Sequence, residues 1–209
     1  MAMVEASWVL FIVASLAVII TPGQDMMLVM SRSLTQGAAA GVVTAAGVSV
    51  GLLGHTALAT LGLGAILQAS EWLFFALKIA GALYLVYLGV TLIRAKRADL
   101  DAGSGAQRSL GRLFLDGALS NLSNAKIVVF YLAFLPQFVP ASAQQPTLSI
   151  FVLGVAFAAL TFLIKGPVGV FAGALSGWLR SRPVVLAWVY RSSGAILIGL
   201  GVKLAFERR

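Results

Sequence analysis

The sequence predicts an all-α integral membrane protein with six transmembrane helices built as two inverted three-helix repeats. Three observations predict it: an apolar composition, six apolar runs of membrane-spanning length, and a resemblance between the two halves of the chain. Of the 209 residues, 60% are hydrophobic and only 11% charged, and the mean hydropathy is +0.98. A soluble domain is roughly 45–50% apolar and about 25% charged, so this chain has too little polar surface to cover a water-soluble globule. Only helices and closed barrels satisfy their backbone in lipid. The apolar runs are too long for barrel strands of about 9–11 residues and do not alternate at period two.

The runs cover residues 8–30, 38–67, 72–93, 113–135, 147–175 and 184–206. A hydrocarbon core of about 30 Å needs roughly 20 helical residues, and each run meets that length. The second and fifth exceed it, as tilted helices or helices that extend past the membrane do. Residues 1–7 hold one acid and no Lys or Arg, unlike the basic start of a secretory signal. The first run is therefore expected to stay as a span. The polar, Gly/Ser-rich stretch "RAKRADLDAGSGAQRSLGR" reads as the one linker. The chain divides into a first repeat (1–94), a cytoplasmic linker (95–112) and a second repeat (113–209), all within one membrane domain.

The net charge of +8 reads as loop charge rather than a nucleic-acid surface, because the basic residues fall mainly between apolar runs. Arg32 lies in the first loop, Arg94, Lys96, Arg97, Arg108 and Arg112 around the third, and Arg180 and Arg182 in the fifth. Loops rich in Lys and Arg face the cytoplasm. Six spans then place both termini outside, against the sign of Arg208 and Arg209. Five spans plus a re-entrant segment is the alternative.

The halves echo each other. "KIAGALYLVYLGVTLIRAK" ends the first and "YRSSGAILIGLGVKLAFERR" the second, each with a cation three residues before Gly-Ala. Gly47-Val48 and Gly62 match Gly154-Val155 and Gly169 at a constant offset. Small residues also recur in membrane helices for packing alone. A repeat of three spans must insert its second copy upside down. Such inverted repeats build many secondary transporters, with the site at the midplane between the halves.

Several residues are costly at membrane depth. In "IITPGQDMM", Pro22 removes a backbone donor and Gly23 loosens the chain. A broken helix in a bilayer survives only where protein or a water-filled cavity covers it. The half-helix that begins there offers unpaired N–H groups and a positive dipole end, a seat for a carboxylate. Asp25 lies in its first turn. The alternative is a plain kink with a capping acid. In "GALSNLSNAKIVVF", Asn121 and Asn124 share a helix face, and Lys126 follows inside an apolar run. A lysine at helix centre costs roughly 2.5–3.5 kcal/mol, so it needs a partner or snorkels to an interface. The stretch holds the same place in its repeat as residues 21–25 do in theirs, so an acid in one half faces a base in the other, and an Asp25–Lys126 ion pair is expected. His55, the only histidine, either relays protons, with an unperturbed pKa near 6.5, or hydrogen-bonds a neighbouring helix. "LIKGPVG" is expected to break the fifth run at Lys165-Gly166-Pro167, lining the path or marking the surface.

Other chemistry is mostly excluded. There is no cysteine, hence no disulfide or thiol chemistry. One histidine and scattered acids predict no metal site, and no phosphate-binding loop predicts an ATPase. No cofactor is implied, so active transport would draw on an ion gradient. Ser176 in "GALSGW" is a weak handle for an enzyme.

"ITPGQDMMLVMSRSLTQG" followed by "AGVVTAAGVSVG" resembles the N-terminal signature of the LysE/RhtB amino-acid exporters. "DGALSNLSNAKIVVFYLAFLPQFV" resembles that family's second signature, and "LKIAGALYLVYLGVTLIR" its third span. The resemblance covers nearly the whole chain. It implies a bacterial inner-membrane carrier that exports amino acids or close derivatives by coupling to protons. The family's usual second proline is replaced, giving Asn124-Ala125-Lys126, so the break in the fourth span is expected to be milder than the one at Pro22-Gly23. The resulting reading is proton antiport of a zwitterion. The half-helix after Pro22 and Gly23, with Lys126, holds the carboxylate. Asp25, aided by Asn121 and Asn124, meets the ammonium group and competes for a proton, and His55 and Lys165 line the pathway. Two basic residues favour neutral cargo of the homoserine, threonine or leucine type. A cation or metal-ion transporter on a related scaffold is the alternative, and a homodimer is left open.

Overall fold

The computed structural model describes residues 2–21, 23–69, 71–94, 107–139, 143 and 145–206. Within them the chain forms eight α-helices: α1 (Ala2–Ile20), α2 (Gln24–Gln36), α3 (Ala38–Ala69), α4 (Glu71–Arg94), α5 (Leu110–Leu122), α6 (Ala125–Val129), α7 (Pro146–Ser181) and α8 (Pro183–Phe206). A π-helical turn (Phe130–Phe134) and a 3₁₀ turn (Leu135–Phe138) extend α6. No strand occurs among the described residues. Helices α3, α4, α7 and α8 follow the second, third, fifth and sixth apolar runs closely.

The first and fourth runs are each split in two. The chain bends by 53° between Trp8–Ile20 and Gln24–Gln36, and by 56° between Leu110–Leu122 and Lys126–Phe138. At the first break the Thr21 hydroxyl turns back to the Ala17 carbonyl, and Gly23 is extended (φ −162°, ψ −173°) with no side chain to cap α2. At the second, Asn124 is extended (φ −80°, ψ 100°) and its side chain accepts from the Lys126 N–H at 3.1 Å. Asparagine is among the best residues for capping a helix start. The fourth run thus breaks as sharply as the first, not more mildly, because an asparagine cap replaces the missing proline.

The expected break at Lys165-Gly166-Pro167 does not form: α7 runs unbroken through Pro167. Pro167 forfeits one intrahelical bond, but α7 is clamped against α3 on both sides of it. Gly169 meets Gly41, where an added Cβ would lie 2.8 Å from the facing Cα. Gly154 meets Thr56, where a Cβ would lie 2.5 Å from the Thr56 hydroxyl. These contacts pair early α3 with late α7 and the reverse, so the two helices run antiparallel. Helices α4 and α8 are antiparallel too, joined at Gly89–Gly194 and Ala82–Gly201. Such closeness needs glycine, and small residues are what membrane helices use to bring backbones together.

Two helices, over Ala38–Gly62 and Pro146–Ala172, are long and apolar enough to cross a membrane, and up to four spans result if each bent pair counts as one. Apolar side chains also cover the outside, Leu58, Leu83, Leu163 and Trp188 among them, as suits a lipid-facing surface. Inside, Phe130 stacks on Phe157 at 4.6 Å, and Phe11, Phe134 and Phe138 belong to the same buried core.

Candidate functional site

The two breaks open onto one cavity of about 210 Å³. The first contributes Gly23, Gln24 and Asp25, and the second Asn121, Asn124 and Lys126. Helix α7 closes the side with Phe157, Thr161 and Lys165, spaced four apart on one helical face. Asp25 is 3% exposed. Its Oδ2 accepts from Asn121 Nδ2 at 2.8 Å and from Lys165 Nζ at 3.3 Å. One carboxylate oxygen therefore joins α2, α5 and α7.

The expected Asp25–Lys126 pair is replaced by Asp25–Lys165. Lys126 instead donates to the Val18 carbonyl at 3.4 Å. The reason lies in the first break. In a continuous helix that carbonyl would accept from the N–H of residue 22, which is proline and has none. Lys126 takes the orphaned acceptor, and its ammonium group stands beside Gly23, where an added Cβ would lie 4.0 Å from it. Both residues still line the same cavity.

Two buried acceptors on residues that line the cavity have no partner among the described residues: Asp25 Oδ1 and Asn121 Oδ1. Leaving such atoms unpaired costs about 1–3 kcal/mol each, more for a charged group. The cavity thus holds one acid half-used, an amide oxygen unused and a lysine with no carboxylate partner. It presents separate places for a positive and a negative group.

His55 stands behind the lining. Its Nε2 lies 3.1 Å from the Asn121 carbonyl, which can only accept, so Nε2 carries the proton. Its ring lies 5.6 Å from that of Tyr131, whose hydroxyl meets the Thr56 hydroxyl at 3.2 Å. Pro22 and the Ser176 side chain lie outside the described residues. Sequence reasoning missed Gln24 and Thr161 as lining residues and Lys165 as the partner of Asp25. The spacing of Thr161 and Lys165, one helical turn apart, could have signalled a shared face.

A polar cavity between two broken helices of an apolar bundle defines a membrane transport protein. The profile of the LysE type translocator family matches residues 16–208, and the chain belongs to that family. It is 32% identical over 203 residues to a homoserine/homoserine lactone efflux protein of Salmonella typhimurium, covering 96% of this chain and 97% of that one. It is 33% identical over 201 residues to an uncharacterized membrane protein of Pseudomonas aeruginosa, covering 93% of each. It is 24% identical over 200 residues to a leucine efflux protein of Klebsiella pneumoniae, covering 95% and 94%. No solved structure gives a significant match.

Proposed function

We propose that this protein exports neutral amino acids or close derivatives from the cell, across the inner membrane, by antiport with protons. The carrying observation is the split charge of the cavity. Asp25 and Asn121, joined through Asn121 Nδ2, each leave Oδ1 without a partner among the described residues, while Lys126 lines the same cavity from the opposite half. A zwitterion spans that pattern. Its ammonium group meets the two free oxygens, and its carboxylate meets Lys126 and the first N–H groups of α2, which lack intrahelical partners. Asn124, which caps α6, holds Lys126 in place. Two ammonium groups against one carboxylate leave the lining at a formal +1 (Lys126, Lys165, Asp25), which disfavours a cationic cargo side chain. The Salmonella and Klebsiella relatives, named as homoserine/homoserine lactone and leucine efflux proteins, support the same class.

Proton coupling follows from Asp25. A proton arriving from outside neutralises it and weakens its hold on both Lys165 and the cargo's ammonium group, which favours release outward. Lys165 is the counter-ion of Asp25. The antiparallel α3–α7 and α4–α8 pairs support two inverted repeats, 1–94 and 113–209, within six spans. Alternating access would rock one half against the other.

The test is an efflux screen over the amino acids from loaded vesicles, with and without an imposed pH gradient. Homoserine-type or leucine-type efflux that accelerates with external acid is expected. Efflux of none, or efflux indifferent to the gradient, contradicts the reading.

A further inference from the structure

A second hollow, an open groove of about 630 Å³, lies between α2 and α5 on the side that the basic-residue bias assigns to the cytoplasm. It shares Gln24 with the central cavity. At the shared wall, Gln24 Nε2 donates to the Ser120 hydroxyl at 3.0 Å and to the Ser120 carbonyl at 3.3 Å. That contact joins the first turn of α2 to the last turn of α5, and so stands between the two cavities.

The outer cavity is positively charged. Three guanidinium groups converge on the one carboxylate of Asp116: Arg32 at 3.5 Å, Arg112 at 3.3 Å, and Arg108 closer still. Of these, Arg32, Arg108 and Asp116 line the cavity, a surplus of one positive charge, while Arg112 lies outside the lining. Both Asp116 oxygens are taken, yet Arg32 Nε is buried and has no hydrogen-bond partner. Arg32 is also withdrawn from solvent, with its side chain 16% exposed, unlike the freely solvated arginine that orientation in the membrane alone would require. A surface cleft with surplus positive charge raises the local concentration of anions, by about tenfold or more.

Resting on the export reading above, we propose that this vestibule is an entry site that captures the carboxylate of the cargo at Arg32 and Arg108 before it passes the Gln24–Ser120 contact. The ligand class is a small solute bearing an oxyanion. The cation captures nothing by itself; the carboxylate is the handle, and the amine is first read further in, at Asp25.

The chain has no cysteine, so Ser31→Cys places a unique thiol in the vestibule wall. Its reaction with an anionic and a cationic methanethiosulfonate is timed in detergent, each rate normalised to that of a free thiol. The anionic reagent is expected to be favoured at least about tenfold, and adding Arg32→Gln should remove most of that preference. Homoserine should slow the labelling, and 3-amino-1-propanol, which lacks the carboxylate, should not. Equal rates for the two reagents, or equal protection by the two solutes, would overturn the proposal. Protection by phosphatidylglycerol but not by homoserine would also overturn it and assign the cavity to a lipid headgroup. Homoserine efflux by the unsubstituted chain is measured alongside. Efflux without anion preference removes the vestibule and keeps the exporter, whereas anion preference without efflux of any amino acid removes the exporter and keeps an oxyanion site.

Discussion

The two breaks reach nearly the same bend, 53° and 56°, by different chemistry. At the first, a proline and a glycine withdraw backbone bonding and leave α2 without a side-chain cap. At the second, Asn124 supplies a cap and Ser123 closes α5 by donating its N–H to Leu119. One break thus exposes backbone groups, and the other satisfies its own. The start of α2 has no side-chain cap, and Lys126 from the capped side reaches across to the orphaned Val18 carbonyl. Equal geometry does not imply equal role.

This comparison can be broken in four places. The largest effect is expected at Lys165→Met. It strands the Asp25 carboxylate, and removing one partner of a buried ion pair costs about 3–5 kcal/mol. Thermal unfolding in detergent should show it. Lys126→Met comes next and separates the two lysines. Among the described residues its ammonium group donates to one carbonyl, at 3.4 Å, so stability should fall by only about 1 kcal/mol. Efflux should fall at least tenfold, because the cargo carboxylate loses a charged contact of about 1.5–3 kcal/mol. Equal stability losses for the two lysines would erase the distinction drawn here. Asn124→Ala removes the cap and should cost about 1 kcal/mol, read by the same unfolding measurement. The smallest effect is expected at Ala125→Pro. Ala125 is the first residue of α6, where proline is welcome, and Asn124 already has the extended backbone that a following proline imposes. Stability should change by less than about 1 kcal/mol. A large loss would mean that the second break depends on the Ala125 N–H.

Much of this was legible beforehand. Helices α3, α4, α7 and α8 sit close to where uninterrupted apolar runs place them, because run length and membrane thickness decide together. The first break was legible from the misfit residues Pro22 and Gly23; the second was not, because Asn121 and Asn124 read as one helix face, and only the family resemblance implied a break there, a milder one. What failed has one common cause. Whether Pro167 breaks its helix depends on Gly41 and Thr56 of another helix, which clamp α7 on either side. Which lysine Asp25 pairs with depends on how α2, α5 and α7 meet, across 140 residues of chain. Local pattern marks a residue as expensive, and tertiary packing decides who compensates it. His55 illustrates the same limit: alone it could relay or brace, and its bond to the Asn121 carbonyl places it at the base of the residue that holds Asp25.

The central claim is that Asp25 and Lys126 read the two ends of one zwitterion. The most direct test is equilibrium binding of homoserine against 3-amino-1-propanol, the same molecule without its carboxylate. The unsubstituted protein should favour homoserine at least about tenfold. Lys126→Met should lose that preference, while Asp25→Asn should weaken both ligands. A Lys126→Met protein that still prefers homoserine by the same factor would contradict the account.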